Sequence, residues 1–307
     1  MTKILVATVK PFAAVAVDRM RDIIESVGYE FILLEEYADT SEIRSAVSDA
    51  DALIVRSDDV NAELIREAPA LKVVVRAGAG YDNIDLEAAS AGNIVVMNTP
   101  GQNSNAVAEL AIGMMIYLSR NKFNGTAGRE LKGKTMGLHA YGNVGRRLAR
   151  IARGFDMEIY AYDPFIDASE IQNDGVSWLD SAEALYRTCQ LISLHIPANE
   201  KTSKSINHDL LSLMPENAML VNTARREVID EVSLIRIFEE REDFMYASDI
   251  APDAARQMEE RFPGRIYFTP KKMGAQTAEA NINAGVAAAR QVVAFFKDGD
   301  TTFRVNK

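Results

Sequence analysis

Residues 134–163, KTMGLHAYGNVGRRLARIARGFDMEIYAYD, pair a glycine turn with a carboxylate spaced to meet it. Met136–Ala140 is a short, mostly apolar run, and Tyr141–Gly145 is a turn that opens a helix. Leu148, Ala149, Ile151 and Ala152 give that helix one apolar face, and Ile159–Tyr162 is a second run that ends on Asp163. Ala140-x-Gly142-x-x-Gly145 stands where G-x-G-x-x-G marks a dinucleotide-binding βαβ unit. Gly142 leaves the space of a Cβ to a pyrophosphate, and Gly145 lets helix and strand pack closely. The helix N-terminus adds free N–H groups and a partial positive charge. Asp163 lies 23 residues after Ala140. A carboxylate there accepts hydrogen bonds from a ribose and repels a 2′-phosphate, which selects NAD over NADP.

Hydride transfer between an alcohol and NAD asks for three further groups: a charged group to bind a substrate carboxylate and polarise the carbonyl, an acid/base for the hydroxyl proton, and a polar anchor for the nicotinamide amide. Strand ends supply candidates. Arg225, in Thr223-Ala224-Arg225-Arg226, suits bidentate capture of a carboxylate. Asp249 closes Tyr246-Ala247-Ser248-Asp249 and is either an amide anchor or a turn former. Lys271 and Lys272, in Thr269-Pro270-Lys271-Lys272-Met273-Gly274-Ala275, are solvated charges or include a proton donor. His195 closes another run and suits a structural place along the cofactor groove. Arg56-Ser57 and the glycine-rich Arg76-Ala77-Gly78-Ala79-Gly80 end earlier strands, and the second could present backbone N–H groups to an anion. Pro100–Asn105 could add side-chain amides. Two arginines at strand ends of an acidic chain point to an anionic substrate.

These groups need elements to hold them. Apolar runs at Lys3–Val9, Phe31–Leu34, Ala52–Arg56, Lys72–Arg76 and Ile94–Met97 predict strands, alternating with helical patterns such as Pro11–Val27 and Thr40–Val47. A long helix, apolar around most of its circumference, is expected over Ala106–Ser119, with a polar arm after it. Strands follow at Leu191–His195, Met219–Asn222, Met245–Asp249 and Ile266–Thr269, then a helix over Thr277–Lys297 and a short strand over Thr302–Val305. Alternation of this kind is α/β, with parallel, doubly wound sheets.

At 307 residues two domains are expected. A net charge of −10 argues against nucleic acid or an anionic membrane as partner. One cysteine, Cys189, excludes an intramolecular disulfide framework and points to a reducing, cytoplasmic setting. No apolar run reaches membrane-spanning length and no secretory leader opens the chain. No metal-ligating cluster is expected.

The motifs together resemble the D-isomer-specific 2-hydroxyacid dehydrogenase family along essentially the whole chain. They are RAGAGYDNID (76–85), NTPGQNSNAVAEL (98–110), GLHAYGNVGR (137–146), YDPF (162–165), LHIPANEKT (194–202), VNTARREVIDE (221–231), ASDI (247–250) and TPKKMGAQT (269–277). The resemblance implies two Rossmann-like doubly wound parallel-sheet domains. The substrate-binding domain is discontinuous (1–103 plus 283–307), and residues 104–282 form the NAD-binding domain. It implies Arg225 for substrate carboxylate and carbonyl, and Gly142, Asn143, Val144 and Gly145 for the pyrophosphate turn. Asp163 takes the ribose, and His195, Pro197 and Thr202 the adenosine side. Thr223, Ala224, Asp249 and Gly274 fall near the nicotinamide. Gly78, Ala79 and Asn103 match substrate-side positions, and a homodimer is implied, with Ala106–Ser119 and the arm after it at the interface.

Two departures stand out. The family's acid/base histidine, in Thr-Pro-His-x-Gly-Ala, is replaced by Lys271 or Lys272 in a loop one residue longer. The glutamate expected five residues after Asp249 is Ala254, with Asp253 beside it. A lysine is already protonated, with a reference pKa of about 10.4, so it needs no carboxylate partner. It needs partial desolvation and a nearby cation such as Arg225 to bring that value down. The pattern is most similar to the short lysine-type D-3-phosphoglycerate dehydrogenases, which implies oxidation of 3-phosphoglycerate, with Arg56 and the second lysine as phosphate contacts and no serine-sensing domain. The alternatives are a reductase of glyoxylate, hydroxypyruvate or another small 2-keto acid, and a non-catalytic NAD(H)-sensing, corepressor-like protein.

Overall fold

A computed structural model describes residues 1–306. The chain forms two compact units, Met1–Asn103 with Gln276–Lys307, and Ser104–Ala275. The return to the first unit comes at Gln276, earlier than the expected 283. The reason is local: the Thr277 hydroxyl accepts the Ala280 N–H at 3.1 Å and starts one unbroken helix, Ala278–Asp298. A rigid helix crosses as a whole and cannot be divided at its fifth residue.

The first unit holds β1 (Lys3–Thr8), β2 (Glu30–Glu35), β3 (Ala52–Val55), β4 (Val73–Arg76) and β5 (Val95–Asn98), in the order β2-β1-β3-β4-β5. All four ladders are parallel. The strands are buried on both faces, and their side chains part with a period of two. Ile4, Val6, Ile54, Val73 and Val75 meet the helices Ala14–Glu25 and Ala278–Asp298 on one face. Leu5, Ala7, Leu53, Val55 and Val74 fill the other.

The second unit holds β6 (Thr135–His139), β7 (Glu158–Tyr162), β8 (Ser177–Trp178), β9 (Leu191–Leu194), β10 (Met219–Asn222), β11 (Met245–Ser248) and β12 (Ile266–Phe268). Their order is β12-β11-β10-β9-β6-β7-β8, again wholly parallel. The chain builds outward from β6 through β7 and β8, then returns to lay β9 on the other side of β6. That reversal opens a crevice at the strand ends, where open α/β sheets bind ligands. The helix Ser104–Ser119 covers one face of this sheet, packing Ala108, Ala111, Met114, Met115 and Leu118 against Met136, Leu138 and Val221.

The segment Thr302–Val305 is not a strand. It makes one isolated bridge, Arg304 to Met97, with the Val305 N–H donating to Val96 O at 2.8 Å. The Arg304 N–H donates to Thr301 O at 2.9 Å, closing a turn over residues 301–304, so the tail curls rather than extends. Among the described residues no helix is long and apolar enough to cross a membrane, and no cluster of three His, Cys, Asp or Glu could hold a metal.

Candidate active site

The glycine turn follows β6, at the crevice. Ala140 takes φ +80°, the left-handed conformation in which the motif's first glycine is usually found. The helix Asn143–Arg153 begins after Gly142 with no side-chain cap, so its first-turn amides are left for a ligand or solvent. A Cβ built on Gly142 meets no atom within 4 Å, and the space beyond is open. A Cβ on Gly145 would stand 2.6 Å from Ala140 O, so this glycine serves the contact between helix and strand end. Asp163 is buried; its Oδ2 accepts the Tyr141 N–H and its Oδ1 the Phe165 N–H, each at 2.8 Å.

A cavity of ≈ 740 Å³ opens beside Asp163, lined by His139, Tyr162, Phe165, Ile196, Pro197 and Thr202 among others. Its size suits a nucleoside. The Thr202 hydroxyl donates to Pro197 O at 2.5 Å and accepts the Asn199 N–H at 2.9 Å, which closes the loop after β9 into a firm wall. His139 and His195 sit side by side at the ends of β6 and β9, tied by His195 N–H to His139 O at 2.9 Å. Burial pushes His139 down to about 4 and, with His139 beside it, His195 down to about 3. Both ring nitrogens of His195 are buried with no hydrogen-bond partner, as is the Thr223 hydroxyl at the end of β10. Buried polar groups of this kind are normally satisfied.

Asn222 closes the otherwise apolar β10 and governs the turn that carries Arg225. Its Oδ1 accepts the Ala224 N–H and its Nδ2 donates to Arg225 O, both at 2.9 Å. The side chain therefore brackets Thr223, Ala224 and Arg225. Arg225 Nη1 donates to Ala224 O at 3.0 Å. Arg226 turns to Asp253 at 2.6 Å, and Glu231 accepts the amides of Asp253 and Ala254 at 2.8 and 3.0 Å. Asp253 is thus engaged by Arg226 at an exposed position and does not take up the place of the absent glutamate.

Asp249 lies just beyond β11 and is 1% exposed. Its Oδ1 accepts the Met273 N–H at 2.8 Å and stands 3.0 Å from the Thr269 hydroxyl, while its Oδ2 accepts the Gly274 N–H at 2.7 Å. Lys271 and Lys272 are exposed on the loop between these anchors.

Gly142–Gly145, Asp163, His195, Pro197, Thr202, Thr223–Arg225, Asp249 and Lys271–Gly274 all follow strands along one edge of the second unit's sheet. Arg56, Ser57, Gly78, Ala79 and Asn103 form a separate group at the strand ends of the first unit. Arg56, at that unit's own reversal between β1 and β3, uses three of its five donors on Lys10 O, Pro11 O and Asn281 Oδ1, at 2.8–2.9 Å. Its guanidinium lies over the Phe12 ring. Gly78 accommodates the side chain of Arg76: a Cβ there would stand 1.4 Å from Arg76 Nη1. Motif spacing did not single out Asn222 or Thr269. The available signal was a polar residue closing a buried strand, which must find partners.

Residues 108–267 match the model of the D-isomer specific 2-hydroxyacid dehydrogenase NAD-binding domain, more than half of the chain. The chain belongs to that family. A D-3-phosphoglycerate dehydrogenase of Methanocaldococcus jannaschii is 35% identical over 82% of the chain and 51% of its own length. The chain thus spans about half the length of that curated relative. A hydroxypyruvate reductase of Thermotoga maritima is 32% identical over 86% of the chain and 90% of its own length. The NAD+-bound 3-phosphoglycerate dehydrogenase of Entamoeba histolytica is 48% identical with a TM-score of 0.87, covering 100% of this chain and 99% of that one.

The residues present fit the family's cofactor, NAD. The open space at Gly142, the uncapped helix end, the oriented Asp163 and the unpartnered polar atoms of His195 and Thr223 form a donor and acceptor set for a dinucleotide.

Proposed function

We propose that the chain is an NAD-dependent dehydrogenase oxidising D-3-phosphoglycerate to 3-phosphohydroxypyruvate, the entry to serine synthesis. The observation that carries the reading is full-length similarity, at 48% identity, to an NAD+-bound enzyme of that name. Cations at Arg225, Lys271 and Lys272, which follow strands of the same sheet as the dinucleotide turn, agree with it. NAD, when bound, supplies the hydride acceptor. Gly142–Gly145 would hold its pyrophosphate, Asp163 its ribose, and His195, Pro197 and Thr202 would flank the adenosine, with Thr223, Ala224 and Gly274 near the nicotinamide. Arg225 clamps the substrate carboxylate and the oxygen at C2, fixing the C2 hydrogen toward the nicotinamide and favouring negative charge on that oxygen. One lysine, neutral at that moment, takes the hydroxyl proton as the C2–H bond gives up its electron pair. Bound substrate and the charge of Arg225 supply the desolvation and repulsion that an exposed lysine lacks. The other lysine and Arg56 are the candidate phosphate contacts. The active form would be a cytoplasmic homodimer.

A coupled NADH assay across phosphoglycerate, glycerate and lactate tests the reading. Phosphoglycerate should be preferred over glycerate by about tenfold or more, the worth of one charge-assisted hydrogen bond. One of Lys271→Ala and Lys272→Ala should lose most turnover; unchanged turnover in both would remove the lysine from the mechanism. The similarity to hydroxypyruvate reductase supports a second reading, a reductase of small 2-keto acids. Equal activity on glycerate and phosphoglycerate would favour it. Absence of NADH production with every 2-hydroxy acid would leave a non-catalytic NAD(H)-sensing protein.

A further inference from the structure

Asp58 stands two residues beyond Arg56 and turns back to hold the loop that receives it. Asp58 is 8% exposed, and its Oδ1 accepts the Val9 N–H at 2.6 Å and the Tyr37 hydroxyl at 2.8 Å. Val9 is the first residue after β1. The next two, Lys10 and Pro11, give the carbonyls that accept Arg56 Nη1 at 2.8 and 2.9 Å. At the far end of the same loop the Phe12 N–H donates to Glu35 Oε1 at 2.7 Å. A carboxylate therefore pins the loop on each side of its two arginine-binding carbonyls. Asp58 is itself fixed from behind: its carbonyl accepts Asn83 Nδ2 at 2.7 Å, and the Asn83 carbonyl accepts the Val60 N–H at 2.9 Å. With Asn281 on Nη2, these contacts use both donors of Nη1 and one of Nη2, leaving Nε–H and a second Nη2–H for a ligand. Oδ2 of Asp58 is buried with no partner, so the hold on the loop runs through one oxygen.

Resting on the reading of Arg56 as a phosphate contact, we infer that Asp58 is a positioning residue for Arg56, acting through the Val9 amide and the Lys10 and Pro11 carbonyls. A guanidinium already held at three donors gives up little freedom when an oxoanion takes the others. Without the Val9 anchor the two carbonyls shift, and that preorganisation goes with them. Tyr37 reaches the same oxygen from just beyond β2 and steadies the carboxylate. The effect belongs to the phosphate end of the substrate, so glycerate, which lacks that group, is the internal control.

Amide exchange and a comparison of two substrates test this together. In the wild-type protein the Val9 amide should exchange slowly although Val9 is 49% exposed; free exchange there would overturn the proposal without any variant being made. Asp58→Ala should unprotect that amide and raise KM for phosphoglycerate about fivefold, part of the worth of one charge-assisted hydrogen bond, while kcat and the KM for glycerate change less than about twofold. Asp58→Asn keeps an oxygen for both donors and should restore the protection and the KM. Tyr37→Phe, in a protein whose carboxylate is intact, should move the phosphoglycerate KM in the same direction and to a smaller extent. On an Arg56→Lys background, Asp58→Ala should add nothing further to that KM, because it acts through Arg56. A KM rise shared equally by glycerate and phosphoglycerate would mean a general loosening and overturn the proposal. So would an Asp58→Asn variant as impaired as Asp58→Ala, since the charge and not the hydrogen bonds would then matter. If the wild type uses glycerate and phosphoglycerate equally, the phosphate reading falls, and retained protection of the Val9 amide in D58A would still overturn the anchoring role independently.

Discussion

The Tyr141 amide donates to Oδ2 of Asp163 at 2.8 Å, binding the glycine turn to the end of the neighbouring strand. With the Phe165 amide on Oδ1, the carboxylate is oriented by two backbone groups before any ligand arrives. The free lone pairs are those left for a ribose. Asp163→Ser removes both the orientation and the charge. It should weaken NAD by roughly tenfold or more, the worth of about one to two charge-assisted hydrogen bonds, and narrow the preference over NADP. Titration of the variant with both nucleotides checks this; an unchanged ratio of the two affinities would exclude Asp163 as the selector.

Ala140 carries a Cβ at φ +80°, a conformation that costs an L-residue about 1–2 kcal/mol. Ala140→Gly relieves it, and the gain exceeds what the added freedom of the unfolded chain takes back. Urea unfolding should show a net stabilisation of about 0.5–1 kcal/mol. A loss of stability would mean that the alanine methyl makes a compensating contact.

Gly78→Ala sets two outcomes apart. The new methyl collides with the far end of the Arg76 side chain, which can swing away, rather than with backbone. Gly78 also sits at φ +156°, where any Cβ is strained whatever the space, so stability should fall by about 1–3 kcal/mol. If Arg76 helps to bind an anionic substrate, KM should rise about tenfold at nearly constant kcat, the pattern of lost uniform binding.

His139 and His195 make the fold acid-sensitive. Burial lowers both from the ordinary 6.5, to about 4 and about 3, so the native protein keeps them neutral where the unfolded chain takes up protons. The unfolded state binds more protons throughout that interval, so this part of the stability is complete above pH 6.5 and is lost as pH falls from 6.5 toward 4. His195→Met should flatten the fall in unfolding free energy between about pH 7 and about pH 5, because one proton-binding group is removed. Chemical denaturation at the two pH values measures it.

Much of this was legible in the sequence because it is local. The apolar runs of β1, β3 and β4 have the period and length of buried parallel strands, and Gly142, Gly145 and Asp163 keep a spacing that one βαβ unit enforces. The short edge strand Ser177–Trp178 was not legible, since two residues show no period. Thr302–Val305 looked like a strand from its composition, but a backbone turn from Arg304 N–H to Thr301 O bends it. Partnerships over long separations were hidden as well. Nothing near Asp249 announces that Thr269, Met273 and Gly274 will meet its carboxylate, and nothing near Asn222 announces the bracket around Arg225. Those contacts exist only once β10, β11 and β12 lie side by side.

The helix Ala278–Asp298 covers Phe12, Ala16 and Met20 with Ala284, Ala288, Ala289 and Val292. On the ribosome these partners are born far apart, because the whole of Ser104–Ala275 is made between them. At about 5–20 residues per second, the five-stranded sheet waits on the order of ten to thirty seconds with one greasy flank bare. The inserted unit, contiguous in the chain, faces no such delay and is free to fold first. A nascent chain stalled once residue 275 has just left the ribosome should therefore present a finished dinucleotide-binding unit alongside an unfinished, chaperone-seeking first one.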